Sequence, residues 1–223
     1  NYAVTGGLLL QKATHDFDYL SYLLDASITR VAATAHYSGI FGGDKPADLW
    51  CSACPEQESC LESPQSRRRN GSGGVLTDHR CVFSSAAGSP ETGTNEDCSS
   101  ALMEFSNGVH GVYTQVFYTR RDAAARGAVV SGYHGTLDFD WYRNELRYVR
   151  HHRPFTEQVK VDSGMSHFGG DSVLARNFLD MIKGRAGSLA PIRTGLASVY
   201  ACLAARESSR SGAFVTVRRP GQA

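Results

Sequence analysis

Gly6-Gly7-Leu8-Leu9-Leu10-Gln11-Lys12-Ala13-Thr14-His15-Asp16-Phe17-Asp18-Tyr19-Leu20 packs a lysine, a histidine and two carboxylates into one apolar, amphipathic segment. Read as a helix, it spaces Lys12, His15 and Asp18 three residues apart, and Lys12, His15 and Tyr19 line one face. Phe17, Leu20 and Leu24 form an adjacent apolar stripe that seats the helix on a core. Polar groups beside a packed stripe are aimed by the scaffold into a cleft. A second reading makes Thr14 or Asp16 a helix cap, His15 a satisfied buried histidine and Lys12 a solvated surface group.

Beyond this helix, residues 28–37 read as a strand rich in β-branched and small side chains. A loop-like insertion at about 38–80 follows, longer than ordinary connections, and thus functional or partly disordered. Its Arg67-Arg68-Arg69 run, beside Asn70-Gly71-Ser72-Gly73-Gly74, is expected to be a solvated, mobile loop. Residues 101–105 and 109–118 flank Asn107-Gly108, a hairpin signal whose two central positions both call for positive φ. Residues 129–131, 136–140, 145–150 and 157–161 continue a meander with turns at 133–135 and 142–144. Two helices follow, at 171–183 with Val173, Phe178 and Ile182 on its buried side, and at 192–210 behind Pro191. Residues 213–217 supply a last strand. Short turns between consecutive strands give an α+β fold: an open, predominantly antiparallel sheet with helices covering one face, expected as one domain over residues 1–223.

Several stretches resemble the C-terminal substrate domain of the glucose–fructose oxidoreductase / inositol dehydrogenase (Gfo/Idh/MocA) family. The opening segment resembles the start of that domain. Cys81-Val82-Phe83, Ala101-Leu102-Met103-Glu104-Phe105, Val130-Ser131-Gly132-Tyr133-His134-Gly135-Thr136-Leu137 and His167-Phe168-Gly169-Gly170-Asp171 follow in the family's order. The resemblance implies an NAD- or NADP-dependent oxidoreductase of a sugar, a cyclitol or a related polyol. Members begin with a Rossmann domain carrying a Gly-x-Gly-x-x-Gly turn, and no such turn occurs in this sequence. The chain is therefore expected to be a C-terminal fragment, inactive alone, whose cofactor is held mainly by another domain. The open sheet face implies a homo-oligomer.

Composition narrows the partners. With 23 Lys+Arg against 22 Asp+Glu, bulk charge recruits neither nucleic acid nor a membrane surface. No run approaches the roughly 20 apolar residues of a membrane span, and the expected compartment is the cytoplasm. A small hydroxyl-rich molecule is the ligand the family resemblance implies.

Oxidising a secondary alcohol requires a hydride to leave carbon while a base accepts the hydroxyl proton. Histidine suits that task because its ordinary pKa of ~6.5 lies near working pH. His15 is thus the candidate acid–base, Asp18 its orienting carboxylate or a hydroxyl ligand, and Lys12 the group that holds or polarises a substrate oxygen. Better-known dehydrogenases of the resembled family carry an aspartate where this chain has Gln11, and a neutral amide neither takes up a proton nor stabilises an imidazolium. His167 and Asp171 are candidate substrate ligands, because glycines before a helix N-terminus let backbone approach an oxygen closely. In the alternative, Asp171 caps the helix and His167 is a loop residue.

The cysteines form the other constellation. Cys51-Ser52-Ala53-Cys54 lets two thiolates face one ion, and Cys60 with Cys81 (or His79) completes a tetrahedral structural zinc set. Free buried thiols, or a disulfide in an exported protein, are the other readings. Cys98 and Cys202 stand apart as structural residues. Two functional alternatives follow: a noncatalytic, zinc-clipped binding or assembly module, and a redox-neutral, NAD-dependent glycosidase on the same fold.

Overall fold

A strand of alternating burial at Cys98–Phe105, its paired neighbours and a small-residue helix build the frame that carries the first helical segment. The computed structural model describes residues 5–37, 39–71, 77–87, 95–120, 123–160 and 169–218. In chain order its elements are α1 (Leu8–Gln11), α2 (Ala13–Leu24), β1 (Ile28–His36), a 3-10 turn at Cys51–Ala53, α3 (Pro64–Arg69), β2 (Cys98–Phe105), β3 (His110–Val116), β4 (Gly127–Ser131), β5 (Gly135–Asp140), β6 (Glu145–Arg150), β7 (Phe155–Lys160), α4 (Gly170–Ile182), α5 (Ile192–Ser211) and β8 (Val215–Thr216). The chain divides into two compact units, residues 1–118 with 190–223, and residues 119–189. The strands accordingly form two four-stranded antiparallel sheets, where the meander suggested one.

The first unit holds the sheet β3-β2-β1-β8. Every second residue of β2 (Ser99, Ala101, Met103 and Phe105) is buried, and Val31 of β1 pairs with Met103. Helix α5 lies against β1, with α1 and α2 packed on α5. Its buried positions are all small: Ser198, Ala201, Cys202, Ala204, Ala205 and Ser208. Small side chains let the helix axis approach the sheet closely. The core joins Leu9, Ala13 and Phe17 to Ile28, Val31, Met103 and Phe105, with Leu20 and Leu24 at its margin. This is the apolar stripe read from the sequence.

The short strand β8 covers only part of the edge of β1 that faces away from β2, and Ser208 continues the ladder there. Its hydroxyl accepts from Ala33 N at 2.8 Å and donates to Ala213 O at 2.6 Å, so it sits where the next rung would be. The Ser208 side chain is 1 % exposed. Ser208→Ala removes this partner from the half-buried Ala33 N–H and the exposed Ala213 carbonyl and is expected to cost about 1 kcal/mol in denaturant unfolding. A cost below about 0.5 kcal/mol would show that water replaces the hydroxyl.

The β2–β3 hairpin differs in detail from its expected turn. Gly108 has φ +85, but Asn107 is not among the residues of positive φ. Gly108 N bonds to Phe105 O and Phe105 N to Val109 O, so the loop has three residues with glycine at the left-handed position. The Arg67–Arg69 run is also not a loop. It forms the last turn of α3, which Ser63 caps by accepting from Ser66 N at 3.1 Å, with Pro64 at the first helical position.

In the second unit, β4-β5-β6-β7 are paired in register from Gly127↔Asp140 through Arg150↔Phe155. The expected helix is present as α4, but its expected buried side is not. Val173, Phe178 and Ile182 are 56, 62 and 67 % exposed, and α4 has no buried residue. Amphipathic spacing set the helix there, while burial requires a covering surface that the helix sequence does not encode.

Candidate active site

Gly7, with φ +99, turns the chain into α1, and Lys12 (φ −113, ψ −47) forms the joint between α1 and α2. Helix α2 (Ala13–Leu24) then ends at Asp25, whose left-handed backbone closes it through Asp25 N→Tyr22 O and Ala26 N→Ser21 O. Lys12, His15 and Asp18 are all exposed on this segment, while Ala13, Asp16 and Phe17 are buried. The helix therefore presents an ammonium, an imidazole and a carboxylate outward from a buried footing. Neither His15 as a buried histidine nor Asp16 as a cap survives this arrangement.

Asp16 is instead an anchor. Tyr113 of β3 donates its hydroxyl to Asp16 Oδ2 at 2.9 Å and lies 3.0 Å from Gln115 Oε1, while Gln115 Nε2 donates to Ser99 Oγ at 2.7 Å. A phenol has one proton, and the carboxylate is the stronger acceptor. The Tyr113 ring also meets Phe17 edge-on, with centroids 5.3 Å apart. Burial and the neighbouring Asp16 push the Cys202 thiol above its ordinary range. Two consecutive residues of α2 thus fix its rotation against the sheet, and with it the direction of His15.

The start of the segment has a second anchor in Glu96, only 2 % exposed. Its carboxylate accepts from Leu8 N at 2.9 Å and Leu9 N at 2.5 Å. Neither Asp16–Tyr113 nor Glu96 was legible beforehand. Their partners lie 97 and 87 residues away along the chain, and an acidic residue beside a strand gives no local sign of its distant bond. The other candidate ligands fare differently. His167 lies outside the described residues. Asp171 is exposed in the first turn of α4, whose N-cap is Gly169 and not Asp171, so the capping alternative does not hold.

The insertion gathers its thiols. A backbone bridge joins Trp50 to Arg80, Cys51 N bonds to His79 O and Cys81 N to Leu49 O, drawing the two ends of the insertion together. Cys51, Cys54 and Cys81 are buried, and all six cysteines of the chain are free. Cys51 Sγ lies 3.6 Å from His79 Nδ1. Among the described residues, however, no group of three or more His, Cys, Asp or Glu side chains is placed to hold a metal ion. The zinc set expected of Cys51, Cys54, Cys60 and Cys81 therefore lacks support, because nearness of thiols does not by itself converge their sulfurs on one point.

Burial, then the neighbouring Cys81, Cys60, Asp78 and Cys54, push the Cys51 thiol up from 9.0 to about 11. A thiol whose folded pKa is raised stays protonated while the unfolded chain releases its proton, so stability is lost as pH climbs above the unfolded value. The unfolding midpoint should hold to about pH 9 and fall between pH 9 and 11, less steeply in Cys51→Ala. An equal decline in Cys51→Ala would assign the effect to other groups.

The family model described as "Oxidoreductase family, C-terminal alpha/beta domain" matches residues 2–217. No curated protein matches the sequence. Among solved structures, an oxidoreductase domain protein from Kribbella flavida is similar at a TM-score of 0.67 and 16 % identity, covering 96 % of this chain and 52 % of that one. An NAD binding oxidoreductase from Klebsiella pneumoniae gives 0.62 and 18 %, covering 99 % and 53 %. Levoglucosan dehydrogenase in complex with NADH and levoglucosan gives 0.63 and 15 %, covering 96 % and 51 %. The chain spans about half the length of these structures, and at such identities the likeness is one of fold. Among the described residues, no helix is long and apolar enough to cross a membrane.

Proposed function

Because this chain belongs to the Gfo/Idh/MocA oxidoreductase family, as its C-terminal alpha/beta domain, we propose that it is the substrate half of an NAD(P)-dependent oxidoreductase acting on a sugar, a cyclitol or a related polyol. The observation that carries this reading is the exposed set of Lys12, at the joint before α2, with His15 and Asp18 on α2, which buried Asp16 and Phe17 hold in place. The sequence has no Gly-x-Gly-x-x-Gly turn to cradle a pyrophosphate. An imidazole and a carboxylate on one anchored helix, with an ammonium at the joint before it, suit the reactive end of a nicotinamide instead. The nicotinamide, when bound, accepts or returns the hydride. His15 takes the hydroxyl proton in oxidation and gives it back in reduction. Lys12 holds or polarises the oxygen that loses it, and Asp18 orients His15 or binds a neighbouring hydroxyl.

The levoglucosan dehydrogenase structures, with levoglucosan and with L-sorbose, support a sugar-like substrate. A homo-oligomer forms, in this reading, through the uncovered face of the first sheet, where Leu102 and Val112 are paired in register and 39 and 77 % exposed. The test is spectroscopic. Protein from the complete reading frame, mixed with NAD or NADP and a panel of sugars, cyclitols and polyols, should build up reduced-nicotinamide absorbance with at least one of them. The present chain alone should not. Binding of both cofactors without turnover of any panel member would contradict the substrate class, and failure to bind either would contradict the enzyme.

A further inference from the structure

We propose that Glu96 is a positioning residue for the chemistry of Lys12 and His15, an inference that rests on the function proposed above. The first N–H groups of a helix have no intrahelical partner. In α1 the Leu8 and Leu9 N–H groups both go to the two oxygens of one buried carboxylate, at 2.9 and 2.5 Å. Glu96 is itself fixed, because the adjacent Asp97 N bonds to His36 O at the end of β1. The constraint then passes along the chain. Gln11 N bonds to Gly7 O at 3.0 Å and Lys12 N to Leu8 O at 2.8 Å, which carries the placement of Leu8 directly to Lys12. Lys12 is the joint where α1 meets α2, and its φ of −113 departs from helical values. The placement of Lys12 relative to His15 therefore depends on how α1 is seated, and Glu96 seats it. Thr5 Oγ1, bonded to Asn95 Oδ1 at 3.1 Å, adds to the same clamp.

The neighbouring residue provides a control within the same dipeptide. Asp97 is equally buried, at 1 % exposed, but its Oδ2 accepts from Gly39 N and Ile40 N at 2.8 Å and Phe41 N at 3.4 Å. One carboxylate holds the helix of the candidate site, and the other holds the start of the cysteine insertion. Loss of either should lower stability, but only loss of the first should disturb proton transfer.

The experiment compares Glu96→Gln, Asp97→Asn and His15→Ala in the complete enzyme, with hydrogen exchange at the Leu8 and Leu9 amides. In Glu96→Gln an amino group faces a backbone N–H where an oxygen accepted it. The expected result is a kcat lower by about tenfold to a hundredfold together with a raised KM, since a small misplacement of reacting groups costs on that order and a displaced Lys12 also holds the substrate oxygen less well. The pH–rate profile should shift, and the two amides should exchange faster than in the wild type. Asp97→Asn should keep the wild-type kcat and pH profile. Leu8→Pro is the second variant, in case Glu96→Gln does not fold: it deletes one donor at a first-turn position that tolerates proline, and should shift kcat and the profile in the same direction by a smaller factor. Wild-type kcat and profile in a folded Glu96→Gln or in Leu8→Pro would overturn the proposal. An equal loss in Asp97→Asn would also overturn it, by reducing Glu96 to general stability. Full turnover in His15→Ala, with the amides still released by Glu96→Gln, would place the failure in the function proposed for His15 and remove the positioning role with it.

Discussion

Replacing His15 by alanine is expected to lower turnover of the complete enzyme by about 10²–10⁴-fold, the range a positioned general acid–base contributes. The fold should be indifferent to the change. His15 is exposed on α2, and substitutions at such positions are usually worth no more than about 0.5 kcal/mol. The separation of activity from stability is what makes the variant informative. Lys12→Ala should act on the same chemistry more weakly, by raising KM together with a smaller loss of kcat, because holding an oxygen contributes to both ground state and transition state. Initial rates at saturating cofactor, with unfolding curves for each variant, check both statements. Wild-type rates in His15→Ala would remove the imidazole from the mechanism.

The largest structural effect is expected at Phe17. Its side chain is fully buried between the helices and the first sheet and meets the Tyr113 ring edge-on. Phe17→Ala deletes that burial and leaves a cavity, at a cost of about 3–5 kcal/mol. A domain typically has only about 5–15 kcal/mol of net stability. Because Phe17 also sets the rotation of α2, the surviving native molecules should show impaired turnover as well, through His15 aimed wrongly. Denaturant unfolding gives the first quantity and rates on the folded fraction the second. A loss below about 1 kcal/mol would mean that neighbouring side chains collapse into the space.

Much of the frame could be read along the chain because its determinants are local. The 3.6-residue spacing of Phe17, Leu20 and Leu24 places α2, and Pro191 marks the start of α5. Asn107-Gly108 marks the β2–β3 hairpin, although glycine alone takes the left-handed backbone there. The same spacing put His15 and Lys12 on one face but left open whether His15 was buried; the structure exposes both. Features that depend on contacts remote in sequence could not be read. Asp16 looked like a cap because its phenolic partner is 97 residues away, and Glu96 carries no local sign of its bonds to Leu8 and Leu9. The stripe on α4 specified a helix correctly but not what covers it. The Arg67–Arg69 run looked mobile because its cap, Ser63, and Pro64 precede it, outside the charged cluster.

Label transfer tests the central claim most directly: that the complete protein moves a hydride between a polyol carbon and a nicotinamide, with His15 handling the proton. A turned-over polyol deuterated at its reacting carbon, incubated with protein from the complete reading frame, should deliver one deuterium per turnover to the nicotinamide ring of the released cofactor. The same reaction with His15→Ala should deliver label far more slowly. Product formation with no label in the released cofactor would contradict net oxidation and point to a redox-neutral reaction in which the hydride returns to the substrate.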